Sequence, residues 1–249
     1  MRPDDLRNEP RAAVPVARAE AALARLQDAI TREFAGRIAL VSSFGAEAVV
    51  LLHMVSLVDR ATPVLFVDTG ALFPETLSYQ RAVAGLLGLS DIRHLRPDPA
   101  ALAVADPDGQ LHRRDPDACC ALRKVAPLDA ALAGFDAWIT GRKRFQAATR
   151  AALPFRERDE AGRVKLNPLA DWSAAELGAW RIAHGLPAHP LVERGYPSIG
   201  CAPCTSPVAE GEHPRAGRWR GRDKEECGIH IVGGRVIRVP LRGEEPCPS

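Results

Sequence analysis

Ile38-Ala39-Leu40-Val41-Ser42-Ser43-Phe44-Gly45-Ala46-Glu47 is the stretch that decides the fold. Its first four residues are apolar and predict a short buried strand. The two serines and the glycine end that run, and an apolar helix is predicted from Ala46 to Val58. A strand that turns directly into a helix begins a βαβ unit. The stretch therefore indicates an α/β protein with a mostly parallel sheet flanked by helices.

The same alternation of strands and helices continues on both sides of this stretch. Further strands are predicted at Pro63–Val67, Ile92–Leu95 and Ala137–Thr140. Further helices are predicted over Val16–Phe34, Pro74–Leu87 and Pro116–Leu132, and from a capping box at Ser173 and Glu176 to His184.

Two stretches read less clearly. Asp98–Arg114 is rich in proline and aspartate and predicts a loop that contains about one helical turn. Val164–Leu166 is a short run beyond the regular alternation, and we expect it to form an edge strand.

Composition excludes several classes of protein. The chain has 249 residues, 46% of them apolar, and a net charge of +2. This is enough for a sizeable core, and the charge is too balanced to predict a nucleic-acid partner. No apolar run reaches membrane-spanning length, and the first thirty residues lack the apolar centre of a secretory signal. We expect no membrane association and a cytoplasmic protein, in which paired cysteines bind metal or do redox chemistry more often than they form disulfides.

Four cysteines form two pairs, Cys119-Cys120 and the C-x-x-C pair Cys201 and Cys204. Iron–sulfur clusters and structural zinc sites both use four thiolates, so both remain open. Neighbouring helical side chains point about 100° apart, which suits two corners of a cluster better than one zinc ion. A strained vicinal disulfide at Cys119-Cys120, or buried cysteines without chemistry, are the alternatives.

Three segments at the predicted carboxyl ends of strands could line one crevice. Ser42–Glu47 opens a helix, where backbone N–H groups and the helix dipole favour an anion. Asp68-Thr69-Gly70 and Gly141-Arg142-Lys143-Arg144 follow other strands. Open α/β sheets bind ligands at this edge. Taken singly, each segment also reads as an ordinary turn, a helix cap or a solvated basic loop.

The C-terminal segment carries a lone cysteine, Cys227, with His230 after it and basic residues from Arg215 to Lys224 before it. Nearby cations favour the reactive thiolate, although the acidic residues next to Cys227 oppose it. We therefore expect Cys227 to be activated when the tail docks on a basic pocket. An incidental cysteine in a charged tail is the alternative, and it suits Cys247 better.

Together these motifs resemble the assimilatory adenylyl-sulfate reductases, the iron–sulfur branch of the phosphoadenylyl-sulfate (PAPS) reductase family. The resemblance covers roughly residues 38 to 230. It is carried by Ser42–Glu47, Asp68–Gly70, Pro74–Thr76, Cys119–Lys124, Lys165–Leu169, Glu193–Tyr196, Cys201–Thr205, Gly217–Trp219 and Glu226–His230.

The resemblance implies a fold like the adenine nucleotide alpha hydrolases, with a flexible C-terminal tail. It implies that Cys119, Cys120, Cys201 and Cys204 hold a [4Fe-4S] cluster. It further implies that Cys227 attacks the sulfur of adenosine 5′-phosphosulfate (APS), that AMP leaves, and that thioredoxin or a similar dithiol protein releases sulfite from the resulting S-sulfocysteine. A homo-oligomer is left open.

The resemblance also implies a set of substrate contacts. One position departs from the family, because Lys143 precedes Arg144 where two arginines are usual, and lysine cannot make a bidentate contact. The implied substrate-binding residues are Ser42, Ser43, Phe44, Gly45, Asp68, Thr69, Lys124, Lys143, Arg144, Arg215, Arg218 and His230.

These expectations divide the chain into an N-terminal helical segment (1–35), a nucleotide- and cluster-binding α/β domain (36–205) and a tail with the nucleophile (206–249). Three other functions stay open: reduction of PAPS, which carries a 3′-phosphate; a PP-loop ATP pyrophosphatase or tRNA sulfurtransferase; and a zinc-stabilised binding module. The family's cluster-free branch usually lacks both cysteine pairs, which favours APS over PAPS.

Overall fold

The structure is a computed structural model that describes residues 16–222 together with Lys224 and Glu226. One six-stranded sheet organises it, with strand order β3-β2-β1-β4-β6-β5. All neighbouring strands are parallel except β5 and β6, which confirms the mostly parallel sheet. The strands are β1 (Ile38–Ser42), β2 (Val64–Val67), β3 (Ile92–Leu95), β4 (Ala137–Ile139), β5 (Arg156–Arg158) and β6 (Val164–Leu166).

Helices cover the sheet and confirm the predicted alternation. A wide π-helical turn, Ala121–Val125, joins α6 to α7, where Pro127 cannot donate a backbone hydrogen bond to the carbonyl one turn earlier. The helices are α1 (Val16–Asp28, extended by a π-helical turn at Ala29–Glu33), α2 (Ala48–Val58), α3 (Pro74–Leu87), α4 (Pro99–Ala105), α5 (Leu111–Arg114), α6 (Pro116–Cys120), α7 (Ala126–Leu132) and α8 (Ala174–Ala183). None of these described helices is both long and apolar enough to cross a bilayer.

The order of the strands places a crevice between β1 and β4. The chain builds outward from β1 to β2 and β3, then returns to lay β4 on the other side of β1. Connections that leave β1 in opposite directions separate there, and ligands of open α/β sheets bind at this switch point, beyond the carboxyl ends of the strands.

Alternate residues of the central strands feed two cores. Ala39, Leu65 and Trp138 point to one face and pack with residues of α7. Leu40 and Phe66 point to the other face, into the larger core that α1, α2, α3 and α8 cover. Each large apolar side chain buried in this way contributes about 1.5–3 kcal/mol. Because α1 packs into the main core, it belongs to the body of the fold; the predicted three-part division of the chain stays a prediction.

The loop expected over Asp98–Arg114 is wrong, because two short helices, α4 and α5, form there. Asp98 caps α4 by accepting hydrogen bonds from the amides of Ala100 and Ala101, and Pro99 occupies the first turn. A capping aspartate, a first-turn proline and an alanine-rich run are together a helix start signal. The frequency of proline and aspartate concealed that signal.

The expectation that Val164–Leu166 is an edge strand is also wrong. This strand, β6, is buried along its length and lies between β4 and β5. The edge is β5, whose sequence Arg156-Glu157-Arg158 carries no apolar residue and so gives no strand signal. Charged side chains on an edge strand discourage pairing with other chains. A charged strand such as β5 is therefore favoured at the edge, although its sequence shows no hydrophobic pattern.

The capping box predicted at the start of α8 is confirmed. The hydroxyl of Ser173 accepts a hydrogen bond from the amide of Glu176, and the carboxylate of Glu176 accepts one from the amide of Ser173 at 2.7 Å. Both satisfy donors that the helix start leaves without intrahelical partners.

We predict that Ser173→Ala lowers the free energy of unfolding by about 1 kcal/mol, because the N-cap acceptor is lost. Urea denaturation measures the change as a shift in midpoint at constant slope. Ser173→Asn, which retains a capping acceptor, is the matched control. Equal stability of the wild type and Ser173→Ala would contradict this role of the cap.

Candidate active site

A cavity of about 430 Å³ opens at the switch point of the sheet. Its walls come from the segments that follow β1, β2 and β4, from residues 197–201 and from residues 213–218. The predicted crevice therefore exists at the carboxyl edge. The predicted site residues that line it are Ser42, Ser43, Gly45, Thr69, Lys124, Lys143, Cys201, Arg215 and Arg218.

Phe44 shapes the first wall from behind. It has a positive φ of 48°, which is uncommon for a bulky residue, and its side chain is completely buried edge-on against Phe66. Its amide donates a hydrogen bond to the hydroxyl of Ser42 at 3.1 Å. Phe44 does not line the cavity; it anchors the turn that presents Ser43 and Gly45 there.

Lys143 ties the loop after β4 to the loop after β1. Its ammonium group lies 2.7 Å from a carboxylate oxygen of Glu47, and only 3% of the residue is exposed. Burial lowers the pKa of Lys143, and the Glu47 carboxylate acts in the opposite direction. Part of the positive charge of Lys143 is therefore balanced inside the protein before any ligand binds.

The structure places Arg144 away from the cavity. Its guanidinium forms an ion pair with Asp171, its Nε donates to the carbonyl of Leu153 at 2.9 Å, and the side chain is 44% exposed. The neighbouring Arg142 lines the cavity instead and forms an ion pair with Glu157. The basic loop was visible in the sequence, but which of its cations turns inward depends on tertiary packing.

Arg150 is a cavity residue that the sequence did not reveal. It is 7% exposed and lies in a short 3-10 turn, Ala148–Arg150, after the basic loop. Its Nη1 donates to the side-chain oxygen of Gln146 at 2.5 Å, and Gln146 in turn donates to Glu47 at 2.8 Å. Neither hydrophobic periodicity nor motif spacing in the sequence predicts that this arginine is buried at the cavity.

Asp68 and Thr69, which follow β2, have different roles. Asp68 is buried and is not a cavity residue; one carboxylate oxygen accepts a hydrogen bond from Arg96 at 2.9 Å, and the other accepts from the amide of Gly70 at 3.2 Å. Thr69 lines the cavity, and its hydroxyl lies 3.2 Å from the sulfur of Cys201. Asp68 shapes the loop, whereas Thr69 joins the cavity to the cysteines.

The fold brings the two cysteine pairs together, and none of these four described cysteines forms a disulfide. The turn Ala202–Cys204 docks on the loop after β2, where the amide of Ala202 donates to the carbonyl of Ala71 at 2.8 Å. Burial raises the pKa of Cys119 to about 11; the neighbouring Cys120 adds to this, as do Cys201 and Cys204 to a smaller extent. No disulfide joins Cys119 to Cys120 in this structure.

Basic side chains lie close to this group of thiols and act on their pKa. Burial and Cys201 raise the pKa of Cys204, whereas Lys124, Arg218 and Arg222 lower it. Lys124 and Arg218 also line the cavity, so the same two side chains act on the thiols and on any ligand bound beside them. This arrangement favours negative charge in both places.

Among the described residues, no three or more His, Cys, Asp or Glu side chains are arranged to hold a single metal ion. A larger thiolate-bound group, in which each sulfur binds a different metal atom, also uses four cysteines. Two buried donors next to the cysteine turn, the indole N–H of Trp219 and the Nε–H of Arg218, have no hydrogen-bond partner within the described part of the chain. Buried donors normally have an acceptor, so these fit an additional group here.

The described part of the tail lies over the cavity. Arg215 and Arg218 line it, and the guanidinium of Arg218 lies 4.5 Å from the ring centre of Trp219. Lys224 and Glu226 contact the body through ion pairs. Cys227, His230 and Cys247 lie outside the described residues, so their predicted roles, and the flexibility predicted for the tail, stay predictions.

Fold and site together define an α/β protein with a cationic ligand cavity at its switch point and a group of four cysteines beside it, of which Cys201 lines the cavity. Residues 37–207 match the model of the phosphoadenosine phosphosulfate reductase domain. A curated relative from Mesorhizobium japonicum, named adenosine 5′-phosphosulfate reductase, is 54% identical over 80% of this chain and 78% of its own. The chain belongs to the phosphoadenosine phosphosulfate reductase family, which confirms the resemblance.

Other relatives frame the comparison. A protein from Gloeobacter violaceus named phosphoadenosine 5′-phosphosulfate reductase is 42% identical over 80% of this chain and 84% of its own. The solved PAPS reductase from Candida auris, a phosphate complex, is 27% identical and matches with a TM-score of 0.62 over 75% of this chain and 90% of its own. The FMN adenylyltransferase of Candida glabrata, at 15% identity and a TM-score of 0.53, covers 84% of this chain and 74% of its own; this likeness shows the fold alone.

We predict that Gly217→Ala destabilises the protein by roughly 1–3 kcal/mol. An added Cβ would lie 2.0 Å from the backbone oxygen of Ser206, so the chain must shift where Thr205 pairs with Arg218 beside Cys204. Urea denaturation measures the loss. The control is Gly178→Ala, a helical position with open space around it, which we expect to be neutral or slightly stabilising. Wild-type stability of Gly217→Ala would contradict the predicted close contact.

Proposed function

We propose that this protein is an enzyme that reduces adenosine 5′-phosphosulfate to sulfite and AMP, in assimilatory sulfate reduction and cysteine biosynthesis. The observation that carries the proposal is the adjacency of four cysteines without a disulfide to a cationic cavity at the switch point, with Lys124 and Arg218 acting on both. The relatives named for this activity support it.

The proposed cofactor is a [4Fe-4S] cluster on Cys119, Cys120, Cys201 and Cys204. The fit rests on four cysteines at one place that form no disulfide, and on two buried donors that have no partner among the described residues. When bound, the cluster supplies negative charge and rigidity next to the substrate, and the two electrons come from an external dithiol. Lys124 and Arg218 hold the phosphosulfate group beside the cluster, because their positive charge offsets the repulsion between the two negative groups.

Cys227 is the proposed nucleophile. Its thiolate forms a bond to the sulfur of the sulfate group while the sulfur–oxygen bond to AMP breaks, and AMP leaves with that electron pair. The product is an S-sulfocysteine on the enzyme. A thiolate of thioredoxin or a similar dithiol protein then attacks the sulfur of Cys227, sulfite leaves with its electron pair, and the second thiol resolves the mixed disulfide. Such dithiol proteins operate in the reducing cytoplasm, where we place the reaction.

The cations of the cavity have a defined task in this scheme. A thiolate that approaches an anionic sulfate group meets repulsion, and the departing phosphate gains charge. Lys124, Arg142, Arg215 and Arg218 line the cavity in which this charge develops. Preorganised cations in a site of low dielectric stabilise such a transition state without reorganisation at the moment of reaction.

PAPS is the second candidate substrate, because a curated relative that is 42% identical is named for it. Turnover of the anaerobically purified protein with each nucleotide, with thioredoxin as reductant, separates the two. We expect a clearly higher kcat/KM with APS. A clearly higher kcat/KM with PAPS would overturn the substrate assignment and keep the reaction class.

We predict that Cys227→Ser abolishes sulfite release, because a serine hydroxyl is a far weaker nucleophile than a thiolate and cannot form the S-sulfocysteine. The variant should still bind the nucleotide. Sulfite is measured after addition of APS and reduced thioredoxin, and the S-sulfocysteine adduct is measured by intact-protein mass. Cys247→Ser is the matched control and should retain both. Substantial sulfite from Cys227→Ser would refute the assigned nucleophile.

A further inference from the structure

The segment before Cys227 is attached to the body through alternate residues. Arg222 donates to the carbonyl of His112, Lys224 forms an ion pair with Asp117, and Glu226 forms one with Arg150. Two of these contacts are ion pairs of opposite polarity two positions apart. A segment held in this way can dock in one register only, because a shift by one pair brings like charges together.

The ion pair between Glu226 and Arg150 is bidentate. Arg150 donates from Nε and from Nη2 to the two carboxylate oxygens of Glu226, each at 2.6 Å. Its third nitrogen donates to Gln146, so every nitrogen of this buried guanidinium has a partner. Glu226 is itself mostly covered, with 17% of its side chain exposed, and Arg215 adds a second cation 3.6 Å away.

This pair continues into the cavity wall. Behind Arg150 lie Gln146 and Glu47, joined by a hydrogen bond of 2.8 Å, and Glu47 pairs with the buried Lys143. The tail is thereby coupled to the loops after β1 and β4, the two loops that meet at the switch point. Exposed ion pairs rarely hold a segment in place, but a bidentate pair to a buried arginine leaves an uncompensated charge when it breaks.

We propose that Glu226 is a positioning residue that fixes the tail at Arg150, so that Cys227 reacts from a defined place beside the cavity. Cys227 is the next residue, and consecutive Cα atoms are about 3.8 Å apart, so the anchor limits where its backbone can lie. This inference rests on the proposed function, in which Cys227 attacks the sulfate group. The anchor acts by orienting the nucleophile, because a small misplacement of a reacting group lowers the reaction rate more than it lowers the affinity for substrate.

The test separates chemistry from binding. Glu226→Gln and Glu226→Arg are compared with the wild type for the single-turnover rate of S-sulfocysteine formation and for the Kd of APS. We expect the rate to fall by about 10- to 100-fold in Glu226→Arg and less in Glu226→Gln, with Kd changed less than about threefold. Glu225→Gln removes the same charge from the neighbouring position and should keep the wild-type rate.

Reversal of the ion pair supplies the rescue. Arg150→Glu combined with Glu226→Arg restores the pair with its polarity exchanged, and we expect it to form the adduct at least about tenfold faster than Arg150→Glu alone. A wild-type rate of adduct formation in Glu226→Arg overturns the inference. So does a tighter Kd for APS with an unchanged rate, since Glu226 would then merely compete with the substrate for Arg150.

A second measurement works even if the proposed reaction is not found. Alkylation of Cys227 by iodoacetamide, relative to Cys247 in the same chain, reads whether Glu226 restrains the tail in the absence of substrate. We expect Glu226→Arg to increase this ratio several-fold and the double reversal to lower it again. An unchanged ratio contradicts the anchor, whereas absence of adduct in the wild type with a changed ratio contradicts the proposed function alone.

Discussion

The turn that carries Cys201 and Cys204 sits on the loop after β2, and the site depends on that contact. Leu72 and Cys201 pair as a short antiparallel bridge, and Ala202 donates to the carbonyl of Ala71 at 2.8 Å. The hydroxyl of Thr69 meets the sulfur of Cys201 at 3.2 Å. These contacts hold a C-terminal turn at the carboxyl edge of a sheet built mainly from the N-terminal part of the chain, and so place Cys201 in the cavity wall.

Several cations around that contact form ion pairs with acidic side chains. Lys143 is paired with Glu47, Arg142 with Glu157 and Asn167, and Arg150 with Glu226. Buried cations need such partners, because an isolated buried charge is costly. Lys124 and Arg218 have a further role, since their positive charge acts on the half-buried thiol of Cys204. Lys124 and Arg218 thus favour negative charge both on the cysteine thiols and on a ligand in the cavity.

The sequence predicted the body of the fold because its central strands are short apolar runs that end in clear turns. It failed for β5, where Arg156-Glu157-Arg158 has the composition of a loop, and for α4, where Asp98 and Pro99 were read as breakers although they cap a helix. At the site, cysteine spacing predicted the meeting of Cys119, Cys120, Cys201 and Cys204. Spacing could not show that Arg144 turns to Asp171 while Arg142 and Arg150 turn inward, because packing decides those orientations.

The content of the four-thiol group is the central claim. Anaerobic purification followed by measurement of iron, acid-labile sulfide and zinc per chain tests it most directly. The account predicts about four irons and four sulfides per chain, with little zinc. About one zinc per chain without sulfide would contradict it, because the four cysteines would then form a structural site.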